Sequence, residues 1–218
     1  KLLCCLALSS VMLASPAVAQ SSISLGGKAS TLGLGGEVTL RLAPAVALRG
    51  GYNLLSLPRT AEAEGISYDI TPEFSNGTAL LDLHPFTSAF RLTGGVVFNG
   101  NELVLGAEPT QPVTIGNRTY QPSEIGRLDG LVTVNKLSPY FGLGFGGNGR
   151  VALTFDLGVV LHGTPQIALD GTTPLTGQER ATFEAEVARE EAEIQASIND
   201  ESLAKLWPVV AIGLKIRL

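Results

Sequence analysis

The chain has 218 residues, 44% of them hydrophobic and 26 of them glycine, with a formal net charge of -5. This length suits one domain plus a processing segment, and the acidic balance argues against nucleic acid as a partner, which needs a basic surface. Glycine is a poor helix residue that strands tolerate at bends and bulges, so its abundance favours β architecture.

The first segment is typical of a secretory signal peptide. An apolar run from residue 2 to residue 13 is followed by Ala17-Val18-Ala19, the small residues that a signal peptidase reads. The alternative, an N-terminal membrane anchor, requires a longer apolar run. We therefore expect residues 1–19 to be removed and residues 20–218 to form the mature protein.

The mature chain alternates apolar and polar residues with period two, which is the signature of strands with two different faces. Leu34, Val38 and Leu40 share one face, for example, while Glu37 and Arg41 lie on the other. Eight such segments are long enough to cross a bilayer as tilted strands. We predict these strands near residues 21–29, 33–42, 46–57, 66–84, 88–105, 127–145, 150–162 and 207–218.

The links between these strands are alternately short and long. Short links fall at 43–44, 84–88 and 146–149, whereas longer polar links span 58–65, 106–126 and 163–205. A soluble sandwich would also alternate, but tight turns on one side and long loops on the other are typical of outer-membrane barrels. The sequence predicts an all-β fold, an eight-stranded antiparallel up-and-down transmembrane β-barrel. Its long loops face the cell exterior.

The long link 163–205 contains a predicted acidic helix at 178–199, which is rich in good helix formers. Phe183, Val187, Ile194 and Ile198 fall on one face of this helix. We expect an external helix that caps the barrel mouth. The alternative is an element that binds a protein or gates the barrel.

Charged residues on the non-lipid face are predicted to meet inside the barrel. The lumen of an eight-stranded barrel is just wide enough for side chains to fill, and charges there must be paired. The expected arrangement is a salt-bridged plug, and the alternative is a selectivity path in which the pairs rearrange. The predicted lumen residues are Glu37, Arg41, Arg49, Asp82, Arg91, Asp156, Lys215 and Arg217.

Aromatic residues are predicted at the membrane interfaces, where they form girdles in outer-membrane barrels. The candidates are Trp207, Tyr52, Tyr140, Phe141 and Phe145. The last strand also carries apolar residues at its final and antepenultimate positions. Gly213, Ile216 and Leu218 therefore resemble the C-terminal signal that bacterial barrel-assembly machinery recognises.

No pattern in the sequence predicts an enzyme, a metal site or a cofactor. His162 and Thr164 share a face and could form a nucleophilic pair, but no acid is placed beside them by the sequence. Both cysteines, Cys4 and Cys5, lie in the predicted signal peptide, so the mature chain lacks thiols. The two histidines of the chain are too few for a typical metal site.

Three motifs resemble segments of small proteobacterial outer-membrane barrels. These are Leu80-Leu81-Asp82-Leu83-His84-Pro85-Phe86, Ser138-Pro139-Tyr140-Phe141-Gly142-Leu143-Gly144-Phe145, and the run from Asp156 to Pro165. With the acidic helix before the last strand, they resemble the CarO-type, carbapenem-associated ornithine-uptake porins over residues 30–218. This resemblance implies an eight-stranded barrel and passage of small amino acids.

These observations together predict a protein of the bacterial outer membrane, with membrane lipid and the assembly machinery as its partners. The expected function is a narrow porin for passive uptake of small polar solutes such as amino acids. The alternative is a non-conducting barrel with an envelope-structural or surface-interaction role carried by its long loops.

Overall fold

A computed structural model describes residues 22–63, 66–85, 89–147 and 149–218. The predicted signal peptide, 1–19, lies outside these described residues. The strands in chain order are β1 (Ser22–Ser30), β2 (Gly33–Ala43), β3 (Val46–Ser56), β4 (Arg59–Ala63), β5 (Ile66–Leu83), β6 (Phe90–Asn99), β7 (Glu102–Pro109), β8 (Val113–Ile115), β9 (Arg118–Tyr120), β10 (Leu128–Thr133), β11 (Leu137–Gly146), β12 (Val151–Leu161), β13 (Gln166–Gly171) and β14 (Leu206–Arg217). The helix α1 (Gly177–Asp200) connects β13 to β14.

Eight of these strands form a closed antiparallel barrel, which confirms the predicted fold class. The order around the barrel is β1, β2, β3, β5, β6, β11, β12 and β14, and β14 returns to pair with β1. Pairing of β5 with β6, from Asn76 opposite Asn99 to Leu83 opposite Leu92, completes the ring. Closure leaves no free strand edge in the barrel wall, which is what a hydrocarbon environment requires.

The two faces of the barrel wall differ as the alternation predicted. Outward side chains are apolar and exposed, for example Leu34 at 56%, Leu153 at 67% and Ile212 at 60%. Inward side chains include charged groups such as Arg49 that are almost fully buried. Soluble monomers rarely expose more than a small apolar patch, whereas an apolar outer face on every barrel strand is typical of outer-membrane barrels.

The links confirm the predicted asymmetry of the two barrel ends. β2 and β3, β5 and β6, and β11 and β12 are joined by short links at one end. The chain between β3 and β5, between β6 and β11, and between β12 and β14 emerges at the other end. We refer to this second end as the mouth of the barrel.

The long links are more ordered than the predicted loops at 58–65, 106–126 and 163–205. β4, β5, β7, β10 and β13 pair side by side beyond the mouth in an open sheet, the cap sheet. The first half of β5 pairs with β4 and β7, and its second half belongs to the barrel. The cap sheet is therefore an extension of barrel strands, and the predicted strands 88–105 and 127–145 are each interrupted where the barrel ends.

Helix α1 packs on the cap sheet, and its bounds match the predicted helix at 178–199 to within one residue at each end. Phe183 is fully buried and meets the ring of Tyr120 edge to face at 5.3 Å between centroids. Ile115, Ile125 and Val187 complete this apolar core, which lies outside the barrel. None of the described residues forms a helix that is long and apolar enough to cross a membrane.

Replacing Phe183 with Ala is expected to release helix α1 while the barrel remains folded. The substitution removes packing worth about 3–5 kcal/mol from a core that lies outside the barrel. The measurement is the rate at which trypsin cleaves after Arg180 and Arg189. Glu184→Ala is the matched control, since Glu184 is exposed and pairs only with Arg180 among the described residues. Equal cleavage rates for the two variants would contradict the assigned helix packing.

Candidate functional site

A buried cluster of charges closes the centre of the lumen. Arg49, on β3, lies between three carboxylates that come from three other strands. Its guanidinium nitrogens are 3.4 Å from Glu37 Oε2, 3.1 Å from Asp82 Oδ2 and 3.2 Å from Asp156 Oδ2. Because the Arg49 side chain is only 3% exposed, these contacts replace the water that its charge would otherwise bind.

Two further cations complete the cluster. Arg91 donates to Asp156 Oδ1 at 2.8 Å, and Lys28 lies 3.1 Å from Glu37 Oε2. Three cations then face three carboxylates, so the cluster is neutral, as a buried charge network must be to avoid a large desolvation cost. Gly144 makes room for it, since a Cβ there would lie 2.5 Å from Arg91 Nε.

The structure brings five of the eight predicted lumen residues into this cluster. Arg41, Lys215 and Arg217 instead lie on the inner wall nearer the short-turn end, and none forms a salt bridge within the described part of the chain. Arg41 donates to the backbone oxygen of Pro44 at 2.9 Å. Lys28 was missed, although it follows Ser24 and Gly26 on the inward face of β1, a pattern that the sequence contains.

An apolar layer lies between the charge cluster and the mouth. It is formed by Leu32, Leu80, Val97, Tyr140, Val160 and Val209. Tyr140 is 4% exposed in this layer, so its predicted place in an interfacial girdle is wrong. Tyr140 lies on the same inward face of β11 as Ser138, whereas Phe141 and Phe145 do face outward.

Two small voids lie on either side of Arg49 in the lumen. The upper void, of about 20 Å³, touches Arg49 and Leu32, and the lower void, of about 10 Å³, touches Arg49 and Lys215. A cavity of roughly 10–15 Å³ is needed to hold one water molecule. Each of these two voids is therefore about the size of one water molecule.

A chain of amide side chains crosses the mouth above the apolar layer. Asn53 Nδ2 donates to Asn76 Oδ1 at 2.7 Å, and Asn76 Nδ2 donates to Asn101 Oδ1 at 2.9 Å. Asn101 then donates to Asn99, which donates to Ser138 Oγ at 2.8 Å. This chain was not predicted, because single Asn residues on separate strands form no pattern in the sequence.

Between this amide chain and the cap sheet lies a cavity of about 610 Å³, the vestibule cavity. It occurs where the barrel strands are interrupted before they continue into the cap sheet. Most lining side chains are apolar. They include Leu57, Phe74, Leu103, Val132, Leu206 and Trp207, and the polar lining residues are Asn99, Asn101, Glu102 and His162.

His162 is a buried polar group in the wall of the vestibule cavity. It follows β12 directly, is 6% exposed, and its ring lies 6.4 Å from the Trp207 ring. Burial lowers the pKa of His162, and the backbone of Gly163 opposes that shift only in part. Its Nδ1 makes no hydrogen bond of acceptable geometry with any described residue. Because Nδ1 is enclosed, the ring edge that carries Nε2 is the one that can hydrogen-bond a group inside the vestibule cavity.

The remaining predicted site residues lie at the end of the chain, and Gly213 belongs to the inward face of β14. Ile216 and Leu218 point outward at the short-turn end of the last strand, with exposures of 46% and 75%. Gly213 stands opposite Lys28 on β1. Their role in assembly stays a prediction. Nowhere in the described ranges do three or more His, Cys, Asp or Glu side chains form a group that could hold a metal ion.

A closed eight-stranded barrel with an apolar outer belt and a filled polar lumen defines a small outer-membrane β-barrel protein. Two solved structures from Acinetobacter baumannii share this fold. CarO2 aligns with a TM-score of 0.59 at 18% identity, covering 91% of this chain and 100% of that chain. CarO aligns with a TM-score of 0.59 at 20% identity, covering 89% of this chain and 97% of that chain.

These alignments confirm the predicted resemblance at the level of the fold, which is a CarO-like outer-membrane barrel. A scan against protein-family models found no match, and a search of curated proteins found none either. Neither of the two similar structures is named as an enzyme.

Replacing Arg49 with Met is expected to lower the free energy of unfolding by about 3–5 kcal/mol, because the substitution leaves buried carboxylates without their cation. Arg127→Met is a matched control. Arg127 also contacts three carboxylates, those of Asp69, Glu108 and Asp129, but its side chain is 39% exposed. Exposed pairs contribute little, so Arg127→Met is expected to unfold almost like the unaltered protein.

The measurement for both variants is urea unfolding of the refolded barrel, followed by the fluorescence of Trp207. Similar unfolding curves for Arg49→Met and the unaltered protein would show that the charge cluster does not stabilise the barrel.

Proposed function

We propose that this protein is a non-conducting outer-membrane barrel that acts at the cell surface through its cap sheet, helix α1 and the mouth beneath them. The observation that supports this most directly is the neutral charge cluster around Arg49. Its three cations and three carboxylates are paired with one another, so an ion could pass only if these pairs separated. The voids on either side have room for about one water molecule each.

The order of the outer half of the molecule supports the same function. A surface that binds a partner benefits from being rigid, because less conformational entropy is lost on binding. Here the long links form a paired sheet with its own apolar core around Phe183. Backbone hydrogen bonds continue from the barrel strands into this sheet, so the cap is held by the barrel wall.

A narrow porin for small polar solutes such as amino acids is the second candidate, and the placement of the voids favours it. Arg49 lines both lumen voids, and Leu32 lines both the upper void and the vestibule cavity. The three spaces thus stand in series, and each neighbouring pair shares one lining side chain. Movement of Arg49 and Leu32 would join these spaces into a gated path.

Single-channel recording of the refolded protein in a planar bilayer separates the two candidates. We expect no discrete conductance steps, because the charge cluster and the apolar layer fill the lumen. Heat-modifiable mobility on a gel checks beforehand that the barrel has folded. Discrete steps that scale with salt concentration in the unaltered protein would overturn the non-conducting proposal.

The double variant Leu32→Ala, Arg49→Ala serves as the positive control for this recording. It truncates the side chain that each neighbouring pair of spaces shares, so we expect conductance steps from this variant alone. Steps from the variant combined with silence from the unaltered protein would also establish where the barrel is blocked.

We further propose that residues 1–19 are a cleaved signal peptide and that assembly machinery inserts the mature barrel through its last strand. The apolar run and Ala17-Val18-Ala19 support export, and the outward apolar residues Ile216 and Leu218 support recognition of that strand. Membrane lipid is the proposed environment of the apolar belt.

Mass spectrometry of protein purified from outer membranes tests the export proposal. The chain is expected to begin at Gln20, since cleavage follows Ala19. An Ala19→Leu variant, which replaces the small residue before the cleavage position, is expected to keep the preceding residues. An unaltered protein that reaches the outer membrane with residues 1–19 attached would contradict the proposed cleavage.

A further inference from the structure

We propose that the vestibule cavity is a binding site for a small, uncharged aromatic molecule that carries one hydrogen-bonding group. At about 610 Å³ the cavity has the size of a small-molecule site, since such sites typically span roughly 300–1,000 Å³. It does not depend on the proposed function, because a ligand can bind at the mouth whether or not the lumen conducts.

The apolar lining determines that the body of the ligand is apolar. Water inside such a cavity finds few hydrogen-bond partners, so an apolar molecule that displaces it gains free energy. The amide groups of Asn99 and Asn101 at the floor are already engaged with each other and with Asn76 and Ser138. They therefore complete the floor and leave most of the cavity surface apolar.

Two aromatic side chains in the wall favour a ring system. The rings of Phe74 and Trp207 lie 6.0 Å apart between centroids, at an interplanar angle of 59°. Aromatic groups associate preferentially in offset or tilted arrangements with centroids about 4.5–7 Å apart. A ligand ring beside Trp207 would extend this arrangement, which a flexible alkyl chain cannot do.

His162 determines the single polar feature of the ligand. His162 lines the cavity, and its Nδ1 is enclosed by the protein. The ring edge that a ligand can reach is therefore the one that carries Nε2, and a buried polar group gains from a partner that a ligand supplies. Glu102, the charged residue among the described lining residues, is exposed and negative, so it disfavours carboxylates. A cation would lose its hydration against the apolar wall. We therefore expect the polar group of the ligand to be an uncharged hydrogen-bond donor or acceptor.

The protein contains its own reporter for this site, because Trp207 is the single tryptophan of the chain and lines the cavity. The probe is N-phenyl-1-naphthylamine, an uncharged aromatic compound with one N–H group that accepts excitation energy from tryptophan. We expect saturable, one-to-one quenching of Trp207 when the barrel, reconstituted in phosphatidylcholine vesicles, is titrated with this probe. Quenching that rises linearly and never saturates would indicate partition into lipid and would overturn the proposal.

Two variants with opposite expectations locate the binding. Ala204 lines the cavity, so Ala204→Phe is expected to weaken binding by about tenfold through overpacking. Ala196 is exposed on helix α1, and Ala196→Phe is the matched control with unchanged binding expected. Equal dissociation constants for the two variants would show that the probe binds elsewhere.

The role of His162 is tested with a pair of ligands. 1-Benzylnaphthalene has the shape of the probe but a CH2 in place of the N–H, and it is measured by displacement of the probe. His162→Phe keeps the ring, so we expect it to weaken binding of the amine by about three- to tenfold and to leave 1-benzylnaphthalene unchanged. An equal effect on both ligands would overturn the hydrogen-bonding role.

An alkyl chain is the competing class of ligand, and dodecanol represents it. Dodecanol is expected to displace the probe less readily than 1-benzylnaphthalene does, because it cannot stack against Trp207. Stronger displacement by dodecanol from the unaltered protein, with no such displacement from Ala204→Phe, would assign the cavity to acyl chains and overturn the aromatic class.

Discussion

The pairing of β5 with β6 is the interaction on which the remainder of the structure depends. Without it the barrel wall would have two open edges, and unpaired backbone groups in hydrocarbon cost several kcal/mol each. The same strand also builds the cap, because the first half of β5 continues beyond the mouth and pairs with β4 and β7. One strand of 18 residues thus holds the membrane part and the external part in a single hydrogen-bonded sheet.

Closure of a barrel with only eight strands forces the inward side chains together. One result is the buried guanidinium of Arg49, which contacts three carboxylates from three different strands. Such a cluster is tolerated because it is neutral and its charges lie within salt-bridge distance of one another. It also fills the centre of the lumen, so under the proposed function the cluster that lies in the barrel interior is the one that blocks conduction.

The largest of the described cavities lies at the mouth, beneath the cap sheet, and not in the lumen. Interruptions in the strands at Pro58, Gly100 and Gly163 separate the barrel wall from the cap sheet. The inward faces at that level are apolar and do not meet across the mouth, which leaves the vestibule cavity. Four polar residues are among those that line this cavity, namely Asn99, Asn101, Glu102 and His162. Trp207 was predicted at a lipid interface, but its inward position on β14 places it in this cavity.

The sequence by itself determined the barrel, since period-two alternation and the short and long links dictate eight strands, their outward faces and the side of the long links. It also identified Glu37, Arg49, Asp82, Arg91 and Asp156 as inward charges, because each occupies the polar face of its strand. Only the tertiary structure decided which charges meet, that Arg41 and Lys215 stand apart, and that the predicted loops form a sheet. Cross-strand register and strand tilt set those distances, and neither is encoded in the pattern of any single strand. The vestibule cavity belongs to the same category, because it is formed by residues from many elements that no local sequence signal connects.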